Sequence, residues 1–264
     1  MCRLVGFKLS KNIGDLREIL DSLVSVSRYD PLLPGKVVGG HDDGWGLSIY
    51  DQGLGGVLYY KSSEPLYSQI RVLERLIRSL KCPCKGIIHV RRAGKGEPLG
   101  LVHAHPFISN TDGLILALAH NGSVDKRIIA EELGYKGDLD KVSDTYMYFK
   151  LLVKEYVEHG NIVEAIRNTI NVLLRKKAVK SSINSLILFV NDSMSNVYIV
   201  EDWEHFNGDK RKYYSIGYLC KGDLVVATSS TVYDLLLDKG FSSCKPDIID
   251  VIEVEGHIVK LSIL

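Results

Sequence analysis

Met1-Cys2-Arg3-Leu4-Val5-Gly6-Phe7 opens the chain, and Cys2 leads directly into an apolar, strand-like run from Val5 to Leu9. With Met1 removed, the chain begins on a nucleophile. A first-residue cysteine carries a thiol and an α-amine together, and an amine with a pKa near ~8 takes the thiol proton without a separate base. Cysteine's small side chain favours removal of the initiator methionine. A cysteine near a terminus is otherwise only a small hydrophobe, so its reading as a nucleophile depends on the segments that follow.

Outward from that strand, Leu16, Ile19, Leu20 and Leu23 share one face, which predicts a helix over Ile13 to Val26. Tyr29 to Gly46 contains Pro31, Pro34, Gly35, Gly39, Gly40, Gly44 and Gly46 and reads as a long loop, a kind that commonly carries function. Leu47 to Tyr50 and Val57 to Lys61 flank a glycine-rich turn, Asp51 to Gly56, as a hairpin. Ile70 to Leu80 is amphipathic. Strand patterns follow at Gly86 to His89, Leu114 to His120, Leu186 to Asn191, Asn196 to Glu201, Tyr213 to Leu219, Leu224 to Thr228, Ile248 to Glu253 and His257 to Ile263. Helical patterns cover Asp144 to Glu158, Ile162 to Lys176 and Thr231 to Lys239. Hairpin-linked strands with few helices predict an α+β fold, two mainly antiparallel sheets stacked face to face with helices outside. No repeat or linker divides the chain, so residues 2–264 read as a single domain.

The 264 residues are 45% hydrophobic and 25% charged, ordinary globular values, and 33 Lys plus Arg against 32 Asp plus Glu leave a formal charge of +1. No global field points to nucleic acid or to an anionic membrane. Arg175-Lys176-Lys177 ends a helical pattern and Lys210-Arg211-Lys212 sits in a polar stretch, and with no interleaved aromatic platform both read as solvated surface. The N-terminus lacks a signal-like apolar core and no run reaches the ~20 residues of a membrane helix, so a cytoplasmic location is the default. Five irregularly spaced cysteines do not form a disulfide framework and read as reduced thiols. Cys82-Pro83-Cys84 lacks a second close pair to complete a metal site, and a site from His103 and His105 is equally unsupported, so no metal is assigned. Only two glutamines, Gln52 and Gln69, against plentiful Ile, Val, Leu and Lys are a weak hint of a hot habitat.

Four further segments join Cys2: His89-Val90-Arg91-Arg92-Ala93-Gly94-Lys95-Gly96, His103-Ala104-His105-Pro106-Phe107, Ala119-His120-Asn121-Gly122-Ser123 and Ser143-Asp144-Thr145. Each alone is weak; in this order behind a second-position cysteine they resemble the class II glutamine amidotransferases, the N-terminal-cysteine branch of the Ntn hydrolases. Gly44-Trp45-Gly46 and His105-Pro106-Phe107 are similar to segments of the stand-alone members, which have no synthase domain. The resemblance implies a four-layer α-β-β-α sandwich that uses the chain through Leu264, leaving nothing for an acceptor domain or an ammonia tunnel.

It also implies site roles. Cys2 would attack a γ-carboxamide and form a thioester, with its own amine as base. The Asn121 side-chain NH2 and the Gly122 backbone N–H would form the oxyanion hole, donors that typically contribute ~3–4 kcal/mol each. Arg91 would grip the substrate α-carboxylate through its planar fork and Asp144 would accept the α-ammonium. His105 would shape the substrate pocket beside Pro106. No organic cofactor is implied. The partner implied is a small γ-glutamyl substrate, glutamine or a γ-glutamyl conjugate, with a synthase or acceptor chain as a further possibility. Two alternatives stay open: a γ-glutamyl peptide or conjugate hydrolase on the same site, and a non-catalytic glutamine-binding subunit. Arg92, Gly94, Lys95, His103 and Tyr146 depart from the family pattern, and the first three alter the wall beside Arg91.

Overall fold

The computed structural model describes residues 2–33, 39–111 and 113–264; Pro34 and Gly35 of the predicted loop lie outside the described residues. Among the described residues, thirteen strands form two antiparallel sheets. The first sheet contains β1 (Arg3–Leu9), β2 (Trp45–Asp51), β3 (Gly56–Ser62), β4 (Cys84–Val90), β9 (Ile216–Lys221), β10 (Leu224–Ser229) and β11 (Ser242–Ser243), in the order β11-β9-β10-β1-β4-β2-β3. The second contains β5 (Phe107–Thr111), β6 (Leu114–Val124), β7 (Val179–Val190), β8 (Ser195–Glu201), β12 (Asp247–Val254) and β13 (His257–Ile263), in the order β12-β13-β8-β7-β6-β5. The helices are α1 (Leu16–Arg28), α2 (Ile70–Arg78), α3 (Lys126–Glu132), α4 (Asp144–His159), α5 (Ile162–Arg175), α6 (Gly208–Tyr214) and α7 (Ser230–Asp238).

Period-2 alternation sorts the side chains of β1 between two cores. Val5, Phe7 and Leu9 pack with Ile19, Leu23, Leu73, Ile77 and Leu236 of α1, α2 and α7. Leu4 turns the other way and joins Ile87, Ala117, Ala119, Leu186, Leu188, Val197 and Ile199 between the sheets. Gly6 lies on that inner face, where an added Cβ would stand 3.2 Å from Leu186 Cδ2. A third core packs the outer face of the second sheet against α3, α4 and α5 through Leu118, Ile183, Ile187, Met147, Leu151, Ile166 and Ile170. The order helix, sheet, sheet, helix is therefore the expected four-layer α+β sandwich. Among the described residues no helix is long and apolar enough to cross a membrane.

Most predicted elements are present within a few residues of their expected limits. The strand expected over Tyr213 to Leu219 begins only at Ile216, because Tyr213 and Tyr214 end α6 and bury against Leu33 and Phe206. Their aromatic, strand-like composition serves packing on a helix instead. β5 carries the polar run Ser109-Asn110-Thr111 at a sheet edge, and α3 is only 7 residues long, too short for a period to show. The reading of all five cysteines as reduced thiols is corrected at one pair: Cys220 and Cys244 form a disulfide, with Cα atoms 5.9 Å apart. The pairing of Ser242 with Cys220 across β11 and β9 brings these residues together, which a separation of 24 residues does not announce. Cys2, Cys82 and Cys84 are unbridged.

Candidate active site

Every residue expected at the site converges on one end of the two sheets. Cys2 immediately precedes β1, Arg91 follows β4, Asn121 and Gly122 lie on β6, Asp144 opens α4, and His105 joins the loop before β5. Register explains the convergence: Arg3 pairs with Val90 across β1 and β4, so Cys2 and Arg91 leave adjacent strands at the same level. Cys2, Arg91, His105, Gly122 and Asp144 line a cleft of about 110 Å³, together with Glu97, His120, Thr145, Ser181 and Tyr214.

The Cys2 nitrogen donates to Asn121 Oδ1 at 2.9 Å, crossing from the first sheet to the second. The Cys2 thiol faces the Arg92 carbonyl at 3.8 Å. β6 and β7 lose register between Gly122 and Val124, a bulge that interrupts the ladder at the cleft wall. Gly122 tolerates no side chain, because a Cβ there would overlap the Ser182 carbonyl of β7. Downstream of the bulge, Val124 N–H donates to Asp144 Oδ2 at 3.1 Å, which ties the second sheet to the start of α4. Ser143 caps that helix by accepting from Tyr146 N–H, so Asp144 is its first residue and not the cap. Asp144 Oδ1 accepts from Thr145 N–H at 2.7 Å, which fixes the carboxylate at the positive end of the helix.

Arg91 is only 3% exposed, yet its Nη1 has no hydrogen-bond partner among the described residues, while Nη2 donates to the Pro98 carbonyl at 3.0 Å. A buried guanidinium nitrogen without an acceptor is costly, and a ligand acceptor is the ordinary remedy. Burial, and then the charge of Arg91, pulls the Lys61 amine down to about 8. Glu97 accepts from Asp144 N–H at 3.1 Å and stands 3.8 Å from the Lys126 amine. Burial, and then Asp144, raises its carboxyl above the usual range. The cleft thus carries a cationic side at Arg91 and an anionic side at Asp144 and Glu97, a polarity that matches a zwitterion.

Three buried histidines support the floor. His105 Nδ1 lies 3.1 Å from His89 Nε2, and His120 bonds Thr145 Oγ1 and the Ser182 carbonyl, each at 3.0 Å. Burial pushes all three rings toward the neutral form. Behind Cys2, buried Arg3 donates to Asp30 at 2.6 Å and to the Tyr213 carbonyl at 2.9 Å, and His41 meets the same carboxylate at 2.9 Å. This network anchors the residue after the thiol to the long loop and to α6.

Residues 1–187 match the family described as Glutamine amidotransferases class-II. The chain belongs to the class II glutamine amidotransferases. YafJ of Escherichia coli (strain K12), a provisionally named glutamine amidotransferase, is 30% identical over 125 residues, 47% of this chain and 44% of YafJ. The amidophosphoribosyltransferase of Methanocaldococcus jannaschii is 27% identical over 180 residues, 63% of this chain and 37% of that protein. These matches span less than half of either relative. Among solved structures, the allosteric regulatory enzyme of purine biosynthesis superposes with a TM-score of 0.63 at 18% identity, over 97% of this chain and 48% of the other. A class II domain protein from Silicibacter pomeroyi gives 0.51 at 16%, covering 94% and 93%. At those identities the likeness shows the fold, which is Ntn-hydrolase-like.

Within this family member, sequence reasoning missed Glu97, Ser181 and Tyr214. Glu97 directly follows the quoted Arg91 segment and could have been found there. Ser181 and Tyr214 reach the cleft through sheet and helix packing and carry no local signal. Of the departures from the family pattern, Arg92 and Gly94 do line the cleft, whereas Lys95 is exposed outside it.

Proposed function

We propose that this amidotransferase cleaves the γ-amide of glutamine or a γ-glutamyl compound through a Cys2 thioester. With Met1 removed, the nitrogen now bonded to Asn121 becomes the α-amine, which takes the thiol proton and returns it to the departing ammonia or amine. Water then attacks the thioester and releases glutamate. Because Asn121 Oδ1 is held by that nitrogen, its NH2 is the group left to meet the oxyanion, alongside Gly122 N–H. Arg91 Nη1 takes the substrate α-carboxylate, and Asp144 the α-ammonium.

The observation that carries this reading is the buried Arg91 Nη1, an unpartnered donor among the described residues, in the cleft that Cys2 and Asp144 also line. The test is intact mass before and after 6-diazo-5-oxo-L-norleucine, a glutamine mimic. Loss of Met1 and a single adduct on Cys2 are expected, with no adduct and no hydrolysis in Cys2→Ala. A processed chain that takes no label, or a Cys2→Ala protein with the full rate, contradicts the proposal. A second reading, in which the released ammonia passes to a synthase partner, is favoured by exposed Leu99, Leu101 and Val102, which follow Glu97 and Pro98 near the cleft. A rate of glutamine hydrolysis that rises on adding an acceptor enzyme would favour it over solitary hydrolysis.

A further inference from the structure

We infer that Asp202, His205 and His257 form a binding site for a divalent transition-metal cation such as Zn²⁺, separate from the Cys2 cleft. Asp202 directly follows β8, His205 lies three residues on in the connection to α6, and His257 opens β13, the neighbour of β8 in the second sheet. Their candidate ligand atoms all lie within 4.8 Å of one another. His257 Nε2 is 2.6 Å and His205 Nδ1 is 3.1 Å from the same carboxylate oxygen, Asp202 Oδ1. The two rings are tilted at 48° with centroids 4.4 Å apart, and both nitrogens lie against that one oxygen.

The carboxylate is held from behind, as a metal ligand's usually is. Its side chain is fully buried, Oδ2 accepts from Ile183 N–H at 2.9 Å, and the Asp202 N–H donates to Asn184 Oδ1 at 2.7 Å. Oδ1 is thereby fixed toward the histidines. The histidine side chains are 33% and 26% exposed, which leaves an open side for entry and for water to complete the coordination shell. Two imidazoles and one carboxylate suit zinc and its first-row neighbours better than magnesium or calcium, which prefer all-oxygen shells. Loading requires the ring nitrogens that face Oδ1 to give up their protons, so each ring ligates as neutral imidazole with its N–H on the far nitrogen.

Among the described residues the other close grouping of such ligands is Glu155, Glu158 and His159, which lies on α4 alone, where Lys154 already stands 3.7 Å from Glu158. The Asp202 grouping instead links β8 and β13 and reaches β7 through Ile183. Ser182, the neighbour of Ile183, donates to the Asp202 carbonyl, and its own carbonyl bonds His120 in the cleft. An ion there would brace the strand that backs Gly122.

The test starts from the full chain stripped by a chelator and dialysed, then titrated with Zn²⁺ by calorimetry while melting temperature is followed. Binding of a single ion and a rise in melting temperature are expected. His205→Ala and His257→Ala should each weaken binding by at least the ~10–100-fold that losing even a supporting residue costs. Both side chains are partly exposed, and unchanged far-UV circular dichroism checks their folding; His205→Gln and His257→Gln serve if either alanine variant does not fold. Absence of heat and of a melting shift overturns the inference. So does binding that survives both substitutions, or that disappears instead with Cys2→Ser or Cys82→Ser.

Discussion

Arg91 shows at the scale of one residue what the sequence could and could not disclose. Its place in the His89 to Gly96 segment marked it as a carboxylate reader by resemblance, and the structure adds a buried Nη1 with nothing to bond. Nη2 is already committed to the Pro98 carbonyl, so a carboxylate would be met by one fixed arm and not by the whole fork. Arg91→Lys keeps the charge but cannot reach both Pro98 and the ligand. A hydrogen bond to a charged group contributes ~1.5–3 kcal/mol, so the KM for glutamine should rise ~10–100-fold. The kcat should change little, since the contact is made equally in ground and transition states. Steady-state kinetics on the two proteins checks this, and a fall in kcat with KM unchanged would move Arg91 out of the binding role. Asp144 was likewise marked only by resemblance, and its two backbone partners, Val124 and Thr145, carried no mark at all. They depend on the bulge after Gly122, a feature of strand pairing that no local pattern encodes.

Elements with a clear period were readable because burial on one face writes itself into spacing. α1, α4 and α5 and the inner strands were found for that reason. β5 and β11 were not, since edge strands of polar residues carry no alternation, and α6 was masked by the aromatic pair that ends it. The Cys220–Cys244 link belongs to the same class of blind spot: it follows from the β9–β11 pairing at the edge of the first sheet. Closing a loop of that length removes denatured-state entropy equivalent to ~3 kcal/mol. A Cys220→Ser/Cys244→Ser double variant should therefore unfold at lower denaturant, with a stability loss near that figure. An equal midpoint for variant and unreduced parent would show that the bond adds nothing at this edge.

For the whole molecule, the cleft is built where four layers meet, and its floor depends on His89, His105 and His120 staying neutral. Burial is the first cause in each case, and it depresses all three pKa values below the 6.5 of an exposed imidazole. The sign follows directly: below 6.5 the unfolded chain binds protons that the folded chain refuses, so the equilibrium moves toward unfolding. The contribution of these three rings should be level above neutral pH and fall below about 6.5, by up to ~1.4 kcal/mol per pH unit for each histidine. Carboxyls do not produce this loss: those held low, such as Asp30, titrate in stronger acid, and those raised by burial, such as Glu97, take up protons in the folded state and so favour folding as the pH falls. Buried Asp30, which His41 and Arg3 hold below the usual carboxylate range, adds its own loss only in stronger acid. Urea midpoints measured from pH 8 to pH 5 check the window. His105→Phe fills the same space without a titrating group and should flatten the decline by one histidine's share. A decline that starts only below pH 5, or is unchanged in His105→Phe, would mean that these rings take protons in place and that the cleft floor tolerates charge.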